Sequence, residues 1–240
     1  MKKLFLLIFL ILVPLQTVTA EDYDFEDEEG FFDEEPKEVI ADPLKFINKP
    51  IFKFNDFVFS RGVKPVIKVY EKVVPELARN SIKNFFVNLQ SPIRVVNHTL
   101  QGNLKETGKE IGRFAINSTI GIGGLFDPAT SEFKLKMKNE DFGQTFGKWG
   151  IGPGIYVQLP FFAPTNTRDF VGAFLNTPFS LSSYFFPHNK EYYYGMRGIE
   201  IFNRMVEVVP MVDMMQKNAL DPYTFTRDGW SQYREKLVRE

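Results

Sequence analysis

No cysteine occurs anywhere in the 240 residues. That absence excludes disulfides, thiolate metal ligands and the acylated cysteine of an ordinary bacterial lipoprotein, so stability must come from packing or from a surrounding membrane. Histidine is nearly as scarce. His98 and His188 lie far apart in the chain, and neither has a carboxylate at ligand spacing, which argues against a zinc centre. The G-x-S-x-G elbow of serine hydrolases is missing as well. Beyond the N-terminus, no stretch reaches the ~18 uninterrupted apolar residues of a transmembrane helix.

What is present is unevenly distributed. Lys2 and Lys3 precede an apolar run from Leu4 to Val13, Pro14 breaks it, and Val18-Thr19-Ala20 supplies the small residues that a signal peptidase requires. Residues 1–20 therefore predict an export signal cut after Ala20, with a retained membrane anchor as the alternative. Residues 21–35 carry ten carboxylates and no basic side chain, so 21–40 is expected to be an acidic, disordered segment. The remainder, 36–240, holds 27 basic against 20 acidic residues. A basic body suits an anionic lipid surface or nucleic acid, and export favours lipid. Aromatics make up 15% of the chain, with 26 Phe against 2 Trp. That richness fits one face in water and another in acyl chains, or equally an aromatic soluble core.

Helical signals dominate from residue 42 onward. Asp42-Pro43 reads as an N-cap with proline at the first helical position. Leu44, Ile47, Ile51, Phe54 and Val58 then mark one helix face, with a kink or restart expected at Pro50. Pro65 opens a second helix bearing Val66, Val69, Tyr70 and Val73. Pro75 begins a third with Ala78, Ile82, Phe85 and Leu89, and Ser91-Pro92 stops it. A longer helix, from Leu104 to about Ile120, presents Gly108, Ile111, Gly112 and Ala115, small enough for close helix approach. Residues 141–164 are too rich in Gly and Pro for a helix and too apolar for a surface loop, which suggests the rim of a cavity.

The chemical motifs do not assemble into a site. Asp141-Phe142-Gly143 matches the metal-binding tripeptide of protein kinases, but the catalytic loop and lysine strand of that signature are absent. Gly150, Gly152 and Gly154 give G-x-G-x-G without a strand-turn-helix frame. Gly143 to Lys148 is one residue short of a phosphate loop, and Trp149 stands where Ser or Thr is needed. Neither catalysis, nor a metal, nor a cofactor is expected.

A series of blocks nevertheless follows a known order. It runs through Asp42-Pro43-Leu44, Phe52-Lys53-Phe54-Asn55, Val74-Pro75-Glu76, Ala78-Arg79-Asn80, Ser91-Pro92 and Leu100-Gln101-Gly102. Arg113-Phe114, Asn117-Ser118-Thr119, Gly121-Ile122-Gly123-Gly124 and Phe142-Gly143-Gln144-Thr145-Phe146-Gly147 follow, and Tyr156, Leu159-Pro160 and Asp221-Pro222-Tyr223 close it. In that order the blocks resemble the MlaA (VacJ) family over roughly residues 42–235.

The resemblance implies an all-α, ring-like set of amphipathic helices lying in one leaflet of the bacterial outer membrane, on its periplasmic side. It implies a Gly-rich loop near a central channel for phospholipid, with a trimeric porin and a periplasmic phospholipid carrier of the MlaC kind as partners, and no nucleic acid. A soluble lipid-binding module and a porin-bound structural adaptor are the alternatives. Lipid transfer needs no nucleophile. About thirty methylenes exposed to water would cost on the order of 25 kcal/mol, so the tails need an apolar path and the head a polar one. Candidate loop or channel residues are Gly143, Gly147, Trp149, Gly150, Gly152, Gly154 and Tyr156, with simple turn formation as the alternative for the glycines. Arg113 and Arg168 are candidates for lipid phosphate, with structural ion pairing as the alternative.

Overall fold

A computed structural model describes residues 40–185 and 189–240. The expected signal segment, nearly all of the acidic segment and His188 lie outside those described residues.

The chain is mostly helical. α1 (Lys45–Val58) runs through a short π-helical segment (Phe59–Val63) into α2 (Lys64–Val73). Pro50 does not interrupt α1, because the only backbone partner it removes is the i−4 bond to the carbonyl of exposed Phe46. The irregularity comes instead just before Pro65, whose ring and missing N–H disturb the turn behind it, and Lys64 N–H bonds back to the Phe59 carbonyl. The helix start is also displaced. Leu44, not Asp42, is the N-cap, and Asp42 instead accepts a 2.8 Å hydrogen bond from Asn48.

α3 (Glu76–Leu89) begins after Pro75 as expected. Ser91-Pro92 ends it but also opens α4 (Ser91–Leu100), a helix the sequence pattern did not announce, since proline is tolerated in a first turn. α5 (Leu104–Thr119) is capped by Asn103, whose side chain accepts from Glu106 N–H. Its inward face is Glu110, Arg113 and Asn117. The small-residue face is not a packing face: a Cβ on Gly108 or Gly112 would meet nothing within 4 Å, and Ile111 is exposed. Short α6 (Pro128–Ser131) and α7 (Phe142–Lys148) follow, then α8 (Thr167–Asn176), the long α9 (Lys190–Asn218) and α10 (Pro222–Arg239). The departure from all-helical structure is small. β1 (Tyr156–Val157) pairs antiparallel with β2 (Thr165–Asn166), and Ala41 bridges to Ile155.

The interior is inverted relative to a soluble domain. Among the described residues, buried polar and charged side chains outnumber buried apolar ones about two to one. The apolar core is a small cluster of Ile40, Tyr156, Tyr223 and Trp230, with Phe52 against it. The periodic stripes that would bury apolar residues in a water-soluble helix instead leave many exposed. Phe46, Phe54 and Phe57 are exposed on α1, and Val66, Val69 and Val73 on α2. Leu104 and Ile111 on α5 and Val171 and Phe174 on α8 are exposed too. Charged groups are rarely buried unless paired, and large contiguous exposed apolar surface marks an interface. No helix among the described residues is long and apolar enough to cross a membrane.

Candidate functional site

The segment expected to be an irregular loop begins as a helix. Asp141 caps α7 by accepting from Gln144 N–H at 2.8 Å, and the helix continues through Gly143 and Gly147 to Lys148. The expectation for 141–164 is thus corrected at its start, because tertiary contacts outweigh the low helix propensity of glycine. Those contacts require glycine. A Cβ on Gly143 would lie 2.4 Å from Asp169 Oδ1 and 2.9 Å from Arg234 Nη2, and one on Gly147 would lie 2.6 Å from Val238 Cγ2. Both residues admit the neighbouring helices α8 and α10 instead of forming a turn.

The charges that hold α7 in place are buried. Arg234 on α10 donates from Nη1 and Nη2 to both oxygens of Asp141 at 2.9 and 3.0 Å, and from Nε to Asp169 at 2.8 Å. Burial pushes the Asp169 carboxyl up, but Arg234 and Arg168 outweigh that and hold it below its usual range. Arg168 is itself 5% exposed and donates to Asp169 at 2.9 Å and toward Glu235. Arg113 is likewise buried between Asp127, Thr130 and the Leu135 carbonyl. The two guanidiniums therefore occupy ion pairs, Arg168 with Asp169 and Glu235, and Arg113 with Asp127.

A second buried polar cluster lies behind α7. Gln101 donates to Glu140 at 2.7 Å and to Thr145 at 3.0 Å, and Thr145 donates to Asn97 at 2.6 Å. Glu140 stands 4.0 Å from His98, a carboxylate partner that sequence spacing had not revealed. Burial pushes the Glu140 carboxyl up to about 7 and lowers the His98 imidazole.

After α7 the chain becomes irregular and exposed. Trp149 is 55% exposed and Ile151 is 50% exposed, with Gly150, Gly152 and Gly154 also exposed. Gly150 and Gly154 adopt φ of +85° and +74°, a region open to glycine at little cost. Trp149 stacks beside Phe146 at 6.0 Å and directs its indole N–H toward the Leu100 carbonyl. Tyr156 departs from this surface. It is fully buried in the aromatic cluster, and burial raises its phenol.

Two asparagines of α1 then capture the rest of the segment. Asn48 accepts from Gln158 N–H at 3.1 Å and donates to the Tyr156 carbonyl at 3.1 Å. Asn55 accepts from Phe161 N–H at 2.7 Å and donates to the Leu159 carbonyl at 2.9 Å. Asn48 was not among the sequence candidates; its side-chain partner Asp42 lies six residues earlier, ahead of the helix. Phe161, at φ +66°, is one of the few non-glycine residues in the left-handed region, held there by the Asn55 bond. The structure thus gathers Trp149, Gly150, Gly152 and Gly154 on an exposed rim. It assigns Gly143, Gly147, Tyr156, Arg113 and Arg168 to the scaffold beneath.

Among the described residues no group of three or more His, Asp or Glu side chains is placed to hold a metal. What the arrangement offers is an irregular, apolar, exposed segment on a body with many exposed apolar side chains.

Known proteins are similar to this chain in sequence, and a solved structure is similar in fold. A Rickettsia bellii protein called uncharacterized is 30% identical over 98% of this chain and 93% of its own. The intermembrane phospholipid transport system lipoprotein MlaA of Escherichia coli K12 is 31% identical over 82% of this chain and 78% of its own. A solved structure described as "Structural basis for maintenance of bacterial outer membrane lipid asymmetry" superposes with a TM-score of 0.69 at 30% identity. It covers 82% of this chain and 99% of that one. The buried asparagine and arginine ties, the exposed apolar helices and the Gly-rich rim all fall within residues 40–237, the span that matches MlaA lipoprotein, and the chain belongs to that family.

Proposed function

We propose that this protein moves phospholipid between membranes and so maintains outer-membrane lipid asymmetry. In this reading it takes misplaced phospholipid from the outer leaflet and delivers it to a soluble periplasmic carrier of the MlaC kind. The helices lie in the inner leaflet of the outer membrane around a central passage, beside a trimeric porin. The rim formed by Trp149, Gly150, Ile151, Gly152 and Gly154 borders that passage.

The observation that carries the reading is the inversion of burial. Exposed Phe46, Phe54, Phe57, Val66, Val69 and Val73 would be unfavourable in water, whereas acyl chains accept them, and the charged groups they would otherwise shield are packed inside. Five such side chains at ~1.5–3 kcal/mol each exceed the marginal hold of one acyl chain. Membrane placement therefore does not depend on lipidation, and the domain beginning near residue 41 suffices for it.

Deleting the gene tests the function. Surface-exposed phospholipid and detergent sensitivity should both rise, and this chain should restore them. Normal surface lipid in the deletion strain would overturn the transport reading. Placement is tested separately by washing outer membranes in high salt. The protein is expected to stay bound, whereas recovery in the soluble periplasm would favour a lipid-binding module. An adaptor role would be excluded if Trp149→Ala with Ile151→Ser disturbed surface lipid while leaving porin binding intact.

A further inference from the structure

One face of α9 carries buried charge that has no part in the site described above. Arg197, Glu200 and Arg204 follow one another at i, i+3 and i+7 and so lie along one side of that helix. Arg197 is 2% exposed and Glu200 is equally buried, while the Arg204 side chain keeps 13% of its surface open. Both guanidiniums hold the same carboxylate. Arg197 donates from Nη1 to Glu200 Oε2, and Arg204 donates from Nη2 to Glu200 Oε1 at 2.9 Å. Gln90, at the end of α3, donates to Glu200 Oε1 at 2.8 Å. Asn203 fixes the helix beside them. It accepts from the Tyr70 hydroxyl of α2 at 2.8 Å and donates to the Arg79 carbonyl of α3 at 3.0 Å.

Two guanidiniums against one carboxylate leave this cluster one positive charge in excess. In the other buried arginine networks among the described residues, carboxylates equal or outnumber guanidiniums. Arg94 and Arg113 share Glu110 and Asp127, and Arg227 meets Asp42 and Asp228. Arg168 and Arg234 are set against Asp141, Asp169 and Glu235. The α9 cluster also has idle donors: Arg197 Nε and Arg204 Nη1 are buried and bond to nothing. Arg113 and Arg168 each hold one such atom as well, but there the charge is already matched. An excess buried cation with unused N–H groups is costly to fold, and an anion supplied from outside removes both costs.

We propose, resting on the transport reading, that Arg197 and Arg204 form an anion site for the phosphodiester of a phospholipid headgroup. A phosphodiester carries a single negative charge, so it brings the cluster to neutrality. Its two unesterified oxygens accept from the guanidiniums, whose planar donor edges match phosphate geometry. Glu200 and Gln90 are positioning residues that hold the guanidiniums in place. The site reads the phosphate and not the substituent beyond it, so a diacylglycerol with the same tails gains nothing there.

Binding to the full chain in an uncharged detergent tests the site. The probes are phosphatidylglycerol with a fluorophore on one acyl chain and diacylglycerol with the same labelled chain. The parent is expected to bind the phospholipid at least tenfold more tightly. Arg204→Gln should lose at least tenfold in phospholipid affinity and leave diacylglycerol binding unchanged, with Arg204→Lys, which keeps the charge but not the fork, falling between. In Arg204→Gln the Glu200 carboxylate still has Arg197 and Gln90, so the melting temperature without lipid should match or exceed that of the parent. Glu200→Gln leaves two positive charges unmatched and should bind phospholipid more tightly while melting lower.

Equal parental affinity for the two lipids would overturn the proposal. So would an Arg204→Gln variant that melts lower yet keeps the parental preference, since the arginines would then serve the fold alone. Inorganic phosphate in millimolar excess should fail to displace the labelled phospholipid, and displacement would assign the site to a free anion instead. Surface-lipid levels in the deletion strain are a separate readout, so loss of this binding contrast leaves the transport reading standing.

Discussion

Gly143 and Gly152 stand nine residues apart in one glycine-rich stretch, and substituting alanine at each should give opposite results. At Gly143 the added Cβ would sit 2.4 Å from Asp169 Oδ1 and 2.9 Å from Arg234 Nη2. Neither atom is a loose end. Asp169 accepts from Arg234 at 2.8 Å, Arg168 at 2.9 Å and Asn166 at 3.0 Å, and all three donors are buried. Relief to an ordinary contact requires a shift of about 1 Å, which forfeits about two charge-assisted bonds worth ~1.5–3 kcal/mol each. Alanine regains ~0.5–1 kcal/mol of helix preference. The net loss is therefore about 3 kcal/mol, or roughly 6–12 °C in melting temperature for a domain of this size.

Gly152 meets nothing within 4 Å and has an ordinary φ, so Gly152→Ala should melt within about 1 °C of the parent. Gly150→Ala falls between them, because φ is +85° with open space around it, and strain of ~1–2 kcal/mol is expected. Thermal unfolding in one detergent, with fluorescence from Trp149 and Trp230 as the probe, reads all three variants. If Gly143→Ala melts with Gly152→Ala, the close packing of α7 on α8 and α10 is wrong.

Arg234→Met leaves Asp141 buried without its cation and Asp169 with Arg168 alone, and should destabilise by ~3–5 kcal/mol, while adding Asp141→Asn should recover part of that loss. The Asp169 carboxyl is held low in the folded state. The stability it contributes is present above the unfolded carboxyl range and is lost as pH falls through its depressed folded value, so parent stability should drop steeply below about pH 4 in urea titrations. Glu140 behaves oppositely. Its carboxyl is raised to about 7, so its contribution is fully present below the usual carboxyl range and is lost as pH rises through 7. Glu140→Gln keeps a carbonyl for Gln101 and carries no charge, so it should gain up to ~3 kcal/mol over the parent between pH 6 and 8. An equal fall for both proteins over that range would show that Glu140 is not the titrating group. His98, lowered by burial, is expected to erode stability as pH falls below its ordinary value in both proteins.

Helix existence was legible where local chemistry suffices. Pro75 starts α3 because a proline acts within one turn, and α5 begins at Leu104 as its pattern predicts, capped there by Asn103. The ordered blocks from Asp42 to Tyr223 resemble the family, and the match over residues 40–237 shows it. Which face of each helix turns inward was not legible. Periodicity places Ile111 with Gly108 and Gly112, but whether that stripe meets protein or lipid depends on what lies opposite. The structure buries Glu110, Arg113 and Asn117 instead.

The rim and its scaffold divide in the same way. Composition alone marked 141–164 as apolar and irregular, which holds after Lys148 but not for the helix from Phe142 to Lys148. Only tertiary structure decided that Gly143 and Gly147 are helical, because their reason lies in Asp169 and Val238, which are distant in the chain. It alone paired Arg234 with Asp141 across 93 residues and brought Glu140 to His98. A single sequence records which side chains carry charge or bulk. Which charges neutralise one another inside an inverted protein is settled by long-range packing, where desolvation makes an unpaired partner costly.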